Sequence, residues 1–225
     1  MGVVNHSPSA RILFLGVLVS NLVVLAASFV GVVVLIGALL YPRSIGLFIT
    51  LPYYSYVVFL RPQERIGDGH WPSFSKNFFV LRIMRQYLGL EIKAPPKELQ
   101  EVATKENARL VIGIFPHGSY TDFRIVMDGV LIDTFPDISI LSLAATVLFR
   151  LPLVRELALW SGCVDARRSI AEKMLDEGHS LLVLPGGEKE QLNTEYGKEK
   201  VYVKKRRGFV RLAMRKGVPV VPAYA

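Results

Sequence analysis

Hydrophobic residues are concentrated in the first 60 positions of the chain. Residues 12–40 contain no charged side chain, and after a short break at 41–44 a second uncharged stretch covers 45–60. As a straight helix, the first stretch would be about 43 Å long, whereas the hydrocarbon core of a bilayer is about 30 Å thick. The pattern predicts a membrane-embedded hydrophobic hairpin over 1–60, with a signal peptide or a buried pair of soluble helices as the alternatives.

The remainder of the chain alternates between short apolar runs and amphipathic stretches. This pattern predicts strands at 109–115, 138–143, 180–184 and 218–224, and helices at 76–88, 95–107, 120–131, 144–160, 167–177 and 207–216. Because strands that alternate with helices favour parallel pairing, we expect an α/β domain over 61–225, with a mixed sheet flanked by helices. The last apolar run stops at residue 225 without a turn, so we expect this domain to be incomplete at its C-terminus.

The charge is distributed as unevenly as the hydrophobicity. The net charge is +8, and residues 198–216, which we call the basic block, carry nine Lys or Arg and one Glu. The basic block predicts an anionic partner, which is a phosphate-bearing ligand, an anionic membrane surface or a nucleic acid. A nucleic acid is the least favoured of the three, because the chain is also expected to carry a membrane hairpin. The single cysteine, Cys163, excludes a disulfide-stapled module and is expected to be a buried apolar residue. Since His6, His70 and His179 lack companions spaced as metal ligands, we expect no metal site.

The candidate catalytic residues follow the first predicted strand. His117 comes directly after it, in the Phe-Pro-His-Gly motif of 115–118, and Asp122 lies five residues later. Sites in α/β proteins form at the carboxyl ends of strands, where an imidazole can take a proton from a hydroxyl and a carboxylate can orient the imidazole. Asp122 also fits the third position of a capping box that Ser119 begins, so a purely structural role stays open.

Several sequence blocks follow one another along the second half of the chain. They are Pro-His-Gly at 116–118, Gly-Cys-Val-Asp-Ala-Arg at 162–167, Leu-Pro-Gly-Gly-Glu-Lys-Glu-Gln-Leu at 184–192, Arg-Gly-Phe-Val-Arg-Leu-Ala at 207–213 and Val-Pro-Val-Val-Pro at 218–222. In these blocks and in their order, the chain resembles the type-2 diacylglycerol acyltransferase family. The His-x4-Asp pair resembles the signature of the wider glycerolipid acyltransferase superfamily. Two positions depart from these patterns: Phe115 stands where the family often has His or Glu, and Gly186 stands where the wider superfamily has Glu.

The resemblance implies a role for each matching residue. His117 would be the general base, with Asp122 and Glu190 as further catalytic residues. Substrate-binding roles are implied for Pro116, Gly118, Arg167, Gly186, Gly187, Arg207, Gly208 and Phe209. Each role has a structural alternative: a plain strand-to-loop turn for the glycine pair, solvated loop carboxylates for Glu188 and Glu190, surface charge for Arg167 and Arg168, and a solvated helix face for Arg207, Arg211 and Arg215.

The function that the resemblance implies is acyl transfer from acyl-CoA to a glycerolipid hydroxyl, with diacylglycerol as the first choice of acceptor. It also implies acyl-CoA as co-substrate without a resident cofactor, and an endoplasmic reticulum membrane or lipid-droplet location with the catalytic part in the cytosol. One alternative is acylation of a lysophospholipid or of glycerol phosphate. Another is a non-catalytic membrane-anchored protein whose basic block binds anions. Acyl-chain length, acceptor and homo-oligomerisation stay open.

Overall fold

The structure is a computed structural model that describes part of the N-terminal region and most of the chain after it. The described residues are 29, 31–33, 36–37, 40, 48, 50–60, 62–90, 92, 97–104, 108–116, 123–151, 153–195, 198 and 200–224. Over these residues, no helix has both the length and the hydropathy needed to cross a bilayer. Most of the hairpin predicted over 1–60 lies outside the described residues.

The described residues form one sheet surrounded by helices. Its strands are β1 Val111–Ile114, β2 Ile140–Ala144, β3 Cys163–Asp165, β4 Ser180–Val183 and β5 Val220–Ala223. The α-helices are α1 Leu51–Ser55, α2 Pro72–Asn77, α3 Phe79–Leu88, α4 Lys97–Ala103, α5 Phe123–Thr134, α6 Val154–Trp160, α7 Arg168–Asp176, α8 Gly187–Asn193 and α9 Gly208–Lys216. A π-helical turn covers Tyr56–Leu60, and 3-10 helices cover Gln63–Arg65 and Thr146–Arg150.

Every pairing between these strands is parallel, and the strand order is β3-β2-β4-β1-β5. The mixed sheet that we expected is therefore wrong for the described strands. β3 had also not been predicted from the sequence, because this strand is only three residues long. Since α6 separates β2 from β3, the chain returns to the same edge and enters β3 in the direction of β2.

Alternating side chains of the central strands fill two apolar cores, one on each face of the sheet. Val111 and Leu181 pack with α7 and α9, whereas Ile112 and Leu182 pack with α5. Burying such a side chain stabilises the fold by roughly 1.5–3 kcal/mol. Because both faces are covered, the strands are continuous apolar runs in the sequence, which explains why four of them were predicted near their observed positions.

A further helical layer, α2 and α3, packs on α5 through a close contact at Gly129. A Cβ at Gly129 would lie 2.7 Å from the carbonyl oxygen of Ser75, so only glycine lets the two helices approach so closely. Ser75 is completely buried, and its hydroxyl donates to the carbonyl of Trp160. Arg85 in turn donates to the carbonyls of Ser75 and Lys76 at the end of α2, at 3.0 and 2.6 Å. These contacts hold α2 firmly against the domain.

Candidate active site

The carboxyl ends of the parallel strands meet at one edge of the sheet, which we call the carboxyl edge. β1 leads there to Pro116, β3 to Arg167 and β4 to Gly186. α9 also begins at this edge, because it runs back along the sheet to enter β5, and its Phe209 ring packs over Gly113 of β1. The fold therefore brings most of the predicted substrate-binding residues to the same edge of the sheet: Pro116, Arg167, Gly186, Gly187, Arg207, Gly208 and Phe209.

The predicted general base His117 lies outside the described residues, as do Gly118 and Asp122. The segment that carries them is bounded by Pro116 and by Phe123, the first residue of α5. Before it, the N–H of Phe115 donates to the carbonyl of Ala223 at 3.0 Å, which continues the pairing of β1 with β5. The roles of His117, Gly118 and Asp122 stay predictions.

Glu190 is a buried carboxylate next to the glycine pair. Its Oε2 accepts the backbone N–H of Tyr202 at 2.9 Å, and only 1% of its surface is exposed, whereas Glu188 is exposed. Gly186 lies directly beneath it, since a Cβ at Gly186 would collide with the Glu190 side chain. We expected a loop here, but a turn leads straight into α8, which begins at Gly187. Of the two candidate carboxylates, Glu190 is thus the one that the fold holds in place.

Arg167 is held by a buried carboxylate that the sequence analysis did not single out. The backbone N–H and the Nε of Arg167 donate to Asp165 at 2.9 Å each, and the hydroxyl of Thr146 donates to the same carboxylate at 3.1 Å. Burial alone would raise the pKa of Asp165, but the hydrogen bonds from Arg167 and Thr146 outweigh it and hold this pKa below its usual value. Asp165 therefore stays ionised and orients the half-exposed Arg167. The Asp-x-Arg spacing after a short apolar run could have indicated this pair.

Within the basic block, Lys198 and Lys200 pair with Glu195, whereas the cations on and before α9 have two different kinds of surroundings. Arg215 and Lys216, at the end of α9, form ion pairs with Glu172 and Asp176 of α7. Arg207 and Arg211, at the start of α9, are exposed and form no ion pair with the residues that the structure describes. The amino end of α9, which carries the positive end of the helix dipole, thus presents two available cations at the carboxyl edge.

A buried ionic network, absent from our sequence predictions, joins α6 to the preceding segment. Arg155, which is 1% exposed, donates two hydrogen bonds to Glu156 at 2.9 and 2.8 Å and lies 3.6 Å from Glu64. The hydroxyl of Tyr53 donates to the same Glu156 carboxylate at 2.8 Å. Removing one partner of such a buried pair typically costs about 3–5 kcal/mol. The network therefore ties residues 51–60, which contain α1 and which we call the apolar segment, to the α/β domain.

His70 also has a partner that spacing along the sequence did not reveal. Its Nε2 lies 2.8 Å from the buried carboxylate of Asp128 on α5. The two side chains line a cavity of about 220 Å³ together with apolar residues that include Phe135 and Ile138. Because this cavity lies beside the start of β2, it is at the opposite edge of the sheet from Glu190 and Arg167. We therefore do not include His70 and Asp128 in the candidate active site.

The sequence model of a family described as diacylglycerol acyltransferase matches residues 38–225 of the chain. Among individual proteins, the chain is similar to diacylglycerol O-acyltransferase 2 of Homo sapiens, with 26% identity over 185 residues, which are 79% of this chain and 46% of the relative. It is 26% identical to diacylglycerol O-acyltransferase 2-like protein 6 of Mus musculus over 166 residues, which are 71% of this chain and 48% of the relative.

A third relative has a different acceptor in its name. It is acyl-CoA wax alcohol acyltransferase 2 of Homo sapiens, with 33% identity over 161 residues, which are 69% of this chain and 44% of the relative. The chain thus spans about half the length of the curated relatives it matches. No solved structure matches the chain significantly.

Proposed function

This chain belongs to the diacylglycerol acyltransferase family, and on that premise we propose that it transfers a fatty acyl group from acyl-CoA to a glycerolipid hydroxyl. The preferred acceptor in this proposal is diacylglycerol, which gives triacylglycerol. The observation that carries the proposal is the match over residues 38–225, because it includes every block placed at the carboxyl edge. The location of Glu190, Arg167 and Arg207 at that edge, to which β1 also leads, gives further support.

In the proposed reaction, His117 takes the proton of the acceptor hydroxyl while the hydroxyl oxygen attacks the thioester carbonyl. A carbon–oxygen bond forms, the carbon–sulfur bond breaks, and the thiolate of coenzyme A takes the proton back from the imidazolium. A covalent acyl-enzyme is not required. A positioned base of this kind contributes about 10²–10⁴ in rate. Asp122 would orient the imidazole and stabilise its charged form.

The other residues of the carboxyl edge would bind and position the two substrates. Arg207 and Arg211 are suited to the phosphates of coenzyme A, because both are exposed cations at the amino end of a helix. Arg167, held by Asp165, can present the rest of its guanidinium to a phosphate or an ester oxygen. Glu190, buried next to Gly186, would accept a hydrogen bond from the acceptor or from the histidine network.

The proposal also includes a membrane location, because the acceptor dissolves in the bilayer whereas acyl-CoA arrives from water. Residues 12–60 would anchor the protein in the endoplasmic reticulum membrane, or on lipid droplets, with the α/β domain in the cytosol. Alkaline carbonate should then fail to extract the protein. Protease added to sealed microsomes should degrade residues 61–225, and full protection of those residues would contradict this topology.

The decisive experiment is acyl transfer by the purified protein and its His117→Ala variant, with the lipid products identified by mass spectrometry. We expect triacylglycerol from diacylglycerol, and a loss of at least tenfold in the variant, which should still be expressed and membrane-bound. Fatty alcohol is tested as a second acceptor because one relative is named for wax alcohol. Lysophosphatidate is tested because the His-x4-Asp spacing favours a phospholipid acceptor. Activity in His117→Ala above a tenth of the original would refute the role of His117.

A further inference from the structure

Five aromatic rings form a continuous group on the surface of the α/β domain, and we call it the aromatic platform. Its members are Trp71, Phe74, Phe78, Phe79 and Trp160. Neighbouring ring centroids lie 4.9–5.7 Å apart, within the range of favourable aromatic contacts. The rings pack against each other and yet stay accessible: Trp71 is 51% exposed and Phe79 is 65% exposed.

Exposed aromatic area of this extent indicates a contact surface, because soluble proteins rarely leave large contiguous apolar patches in water. The charge around the platform indicates the kind of contact. Residues 71–88 contain three basic residues, Lys76, Arg82 and Arg85, and no acidic residue. Lys76 forms an ion pair with Asp133 of α5 at 2.7 Å, and Arg85 donates to the carbonyls at the end of α2. Arg82 is therefore the exposed cation of this segment that forms no ion pair with the described residues. Exposed aromatic side chains beside a free cation such as Arg82 are typical of segments that lie in the headgroup region of a phospholipid bilayer.

The platform also adjoins the apolar segment through α6. Trp160 lies one helical turn after Glu156, so both side chains project from the same face of this helix. Glu156 accepts the hydroxyl of Tyr53 from α1. The same segment exposes Leu51 by 58% and Phe59 by 80%. The aromatic platform, at Trp160, and the apolar segment, at the Tyr53 contact with Glu156, therefore meet α6 at positions one helical turn apart.

We infer that the aromatic platform lies in the headgroup region of a phospholipid bilayer and is a second membrane contact of this protein, made by the α/β domain itself. The inference rests on the proposed function, in which the acceptor is drawn from the membrane. The close packing at Gly129 and the buried Ser75 hold α2 on α5, so the platform is a fixed surface. Its insertion would fix the orientation of the whole sheet relative to the membrane.

The experiment uses intrinsic fluorescence, because the two tryptophans of the chain, Trp71 and Trp160, both belong to the platform. The full chain is placed in phosphatidylcholine vesicles whose acyl chains carry bromine at shallow or at deep positions. We expect Trp71, observed alone in Trp160→Phe, to lose emission most strongly with shallow bromine. The matched control is a Met214→Trp variant without the native tryptophans, because Met214 lies on α9, across the sheet from α5, and is 75% exposed.

Two results would overturn the inference. The first is emission from Trp71 that brominated lipid does not reduce, which is also what a protein-binding surface would give. The second is equal quenching at Trp71 and at position 214. Phe79→Glu should abolish the quenching of Trp71 because it places a carboxylate at the interface, whereas Phe79→Leu should retain it. None of these measurements requires turnover, so a failure of the proposed acyl transfer would be recognised separately, in the lipid-product assay.

Discussion

The substitution Gly186→Ala tests whether the glycine pair serves to seat Glu190. The backbone of Gly186 has φ −61° and ψ −42°, a conformation that alanine adopts readily. The obstacle is space, because the new Cβ would lie 2.5 Å from both the Cβ and the Cδ of Glu190. These atoms belong to a side chain that is buried and bonded to the N–H of Tyr202, so Glu190 can move only if it gives up that hydrogen bond.

Forcing a methyl group into such a site typically costs about 1–3 kcal/mol, and losing a hydrogen bond to a charged group costs about 1.5–3 kcal/mol. The two costs do not add in full, because a shift of the Glu190 side chain relieves the steric overlap at the expense of the hydrogen bond. We therefore expect Gly186→Ala to destabilise the protein by about 2.5 kcal/mol. For a domain of this size, that corresponds to a decrease in Tm of about 5–10 °C. If Glu190 serves catalysis, acyl transfer should also fall in the fraction that remains folded.

Two neighbouring substitutions calibrate the measurement by thermal unfolding in one detergent. Gly187 has φ +54° and open space at its Cβ position, so Gly187→Ala should cost only the left-handed strain of about 1–2 kcal/mol. Gly208 has neither a left-handed φ nor a close neighbour, so Gly208→Ala should leave the Tm unchanged or raise it slightly. A Gly186→Ala variant that melts with the original protein would refute the packing of Glu190 over Gly186.

Further substitutions test the charges at the carboxyl edge. Because the folded-state pKa of Asp165 is lowered, the ionised carboxylate stabilises the folded protein at neutral pH, and this stabilisation is lost as the pH falls through that pKa. Asp165→Asn should therefore lower the free energy of unfolding by about 1–3 kcal/mol at pH 7. Urea titrations should show a smaller difference in this free energy between variant and original protein below about pH 4. Arg207→Gln should raise the KM for acyl-CoA by roughly 5- to 150-fold without changing the KM for the lipid acceptor. The control is Arg215→Gln, which removes an exposed ion pair with Glu172 and should change neither KM. Unchanged acyl-CoA kinetics in a stable Arg207→Gln protein would leave this arginine as surface charge. Asp122→Asn and Asp122→Ser retain some capping ability without the charge, so full activity in both would assign Asp122 to the helix cap alone.

The sequence predicted those parts of the fold whose residues carry a local signal. β1 and β4 are apolar on both faces and were predicted within a few residues of their observed bounds. β3 escaped because three residues are too few for a periodic pattern. α8 escaped because Gly186 and Gly187 indicate a turn, and nothing in the sequence shows that a helix begins at the second glycine.

The same distinction holds for the candidate site. The residues at 116, 167, 186 and 207 were grouped in the sequence analysis through the resemblance of their blocks to those of a known family, and not through the strand order. The contacts of Arg155 and His70 could not be predicted, since Glu64 and Asp128 are far away in the sequence and no spacing rule relates them. Buried polar pairs of this kind are specified by tertiary packing, which a single sequence does not display.

The strand order has a consequence for the synthesis of the chain. β1 lies between β4 and β5, and Val111 pairs with Leu181 on one side and Val220 on the other. Its two neighbours therefore leave the ribosome about 70 and 110 residues later, a delay of several seconds or more at about 5–20 residues per second. During that interval an apolar strand followed by the predicted catalytic histidine has no partner in the sheet. Nascent chains that end after β3, before β4 and β5 have been synthesised, should therefore depend most on chaperones.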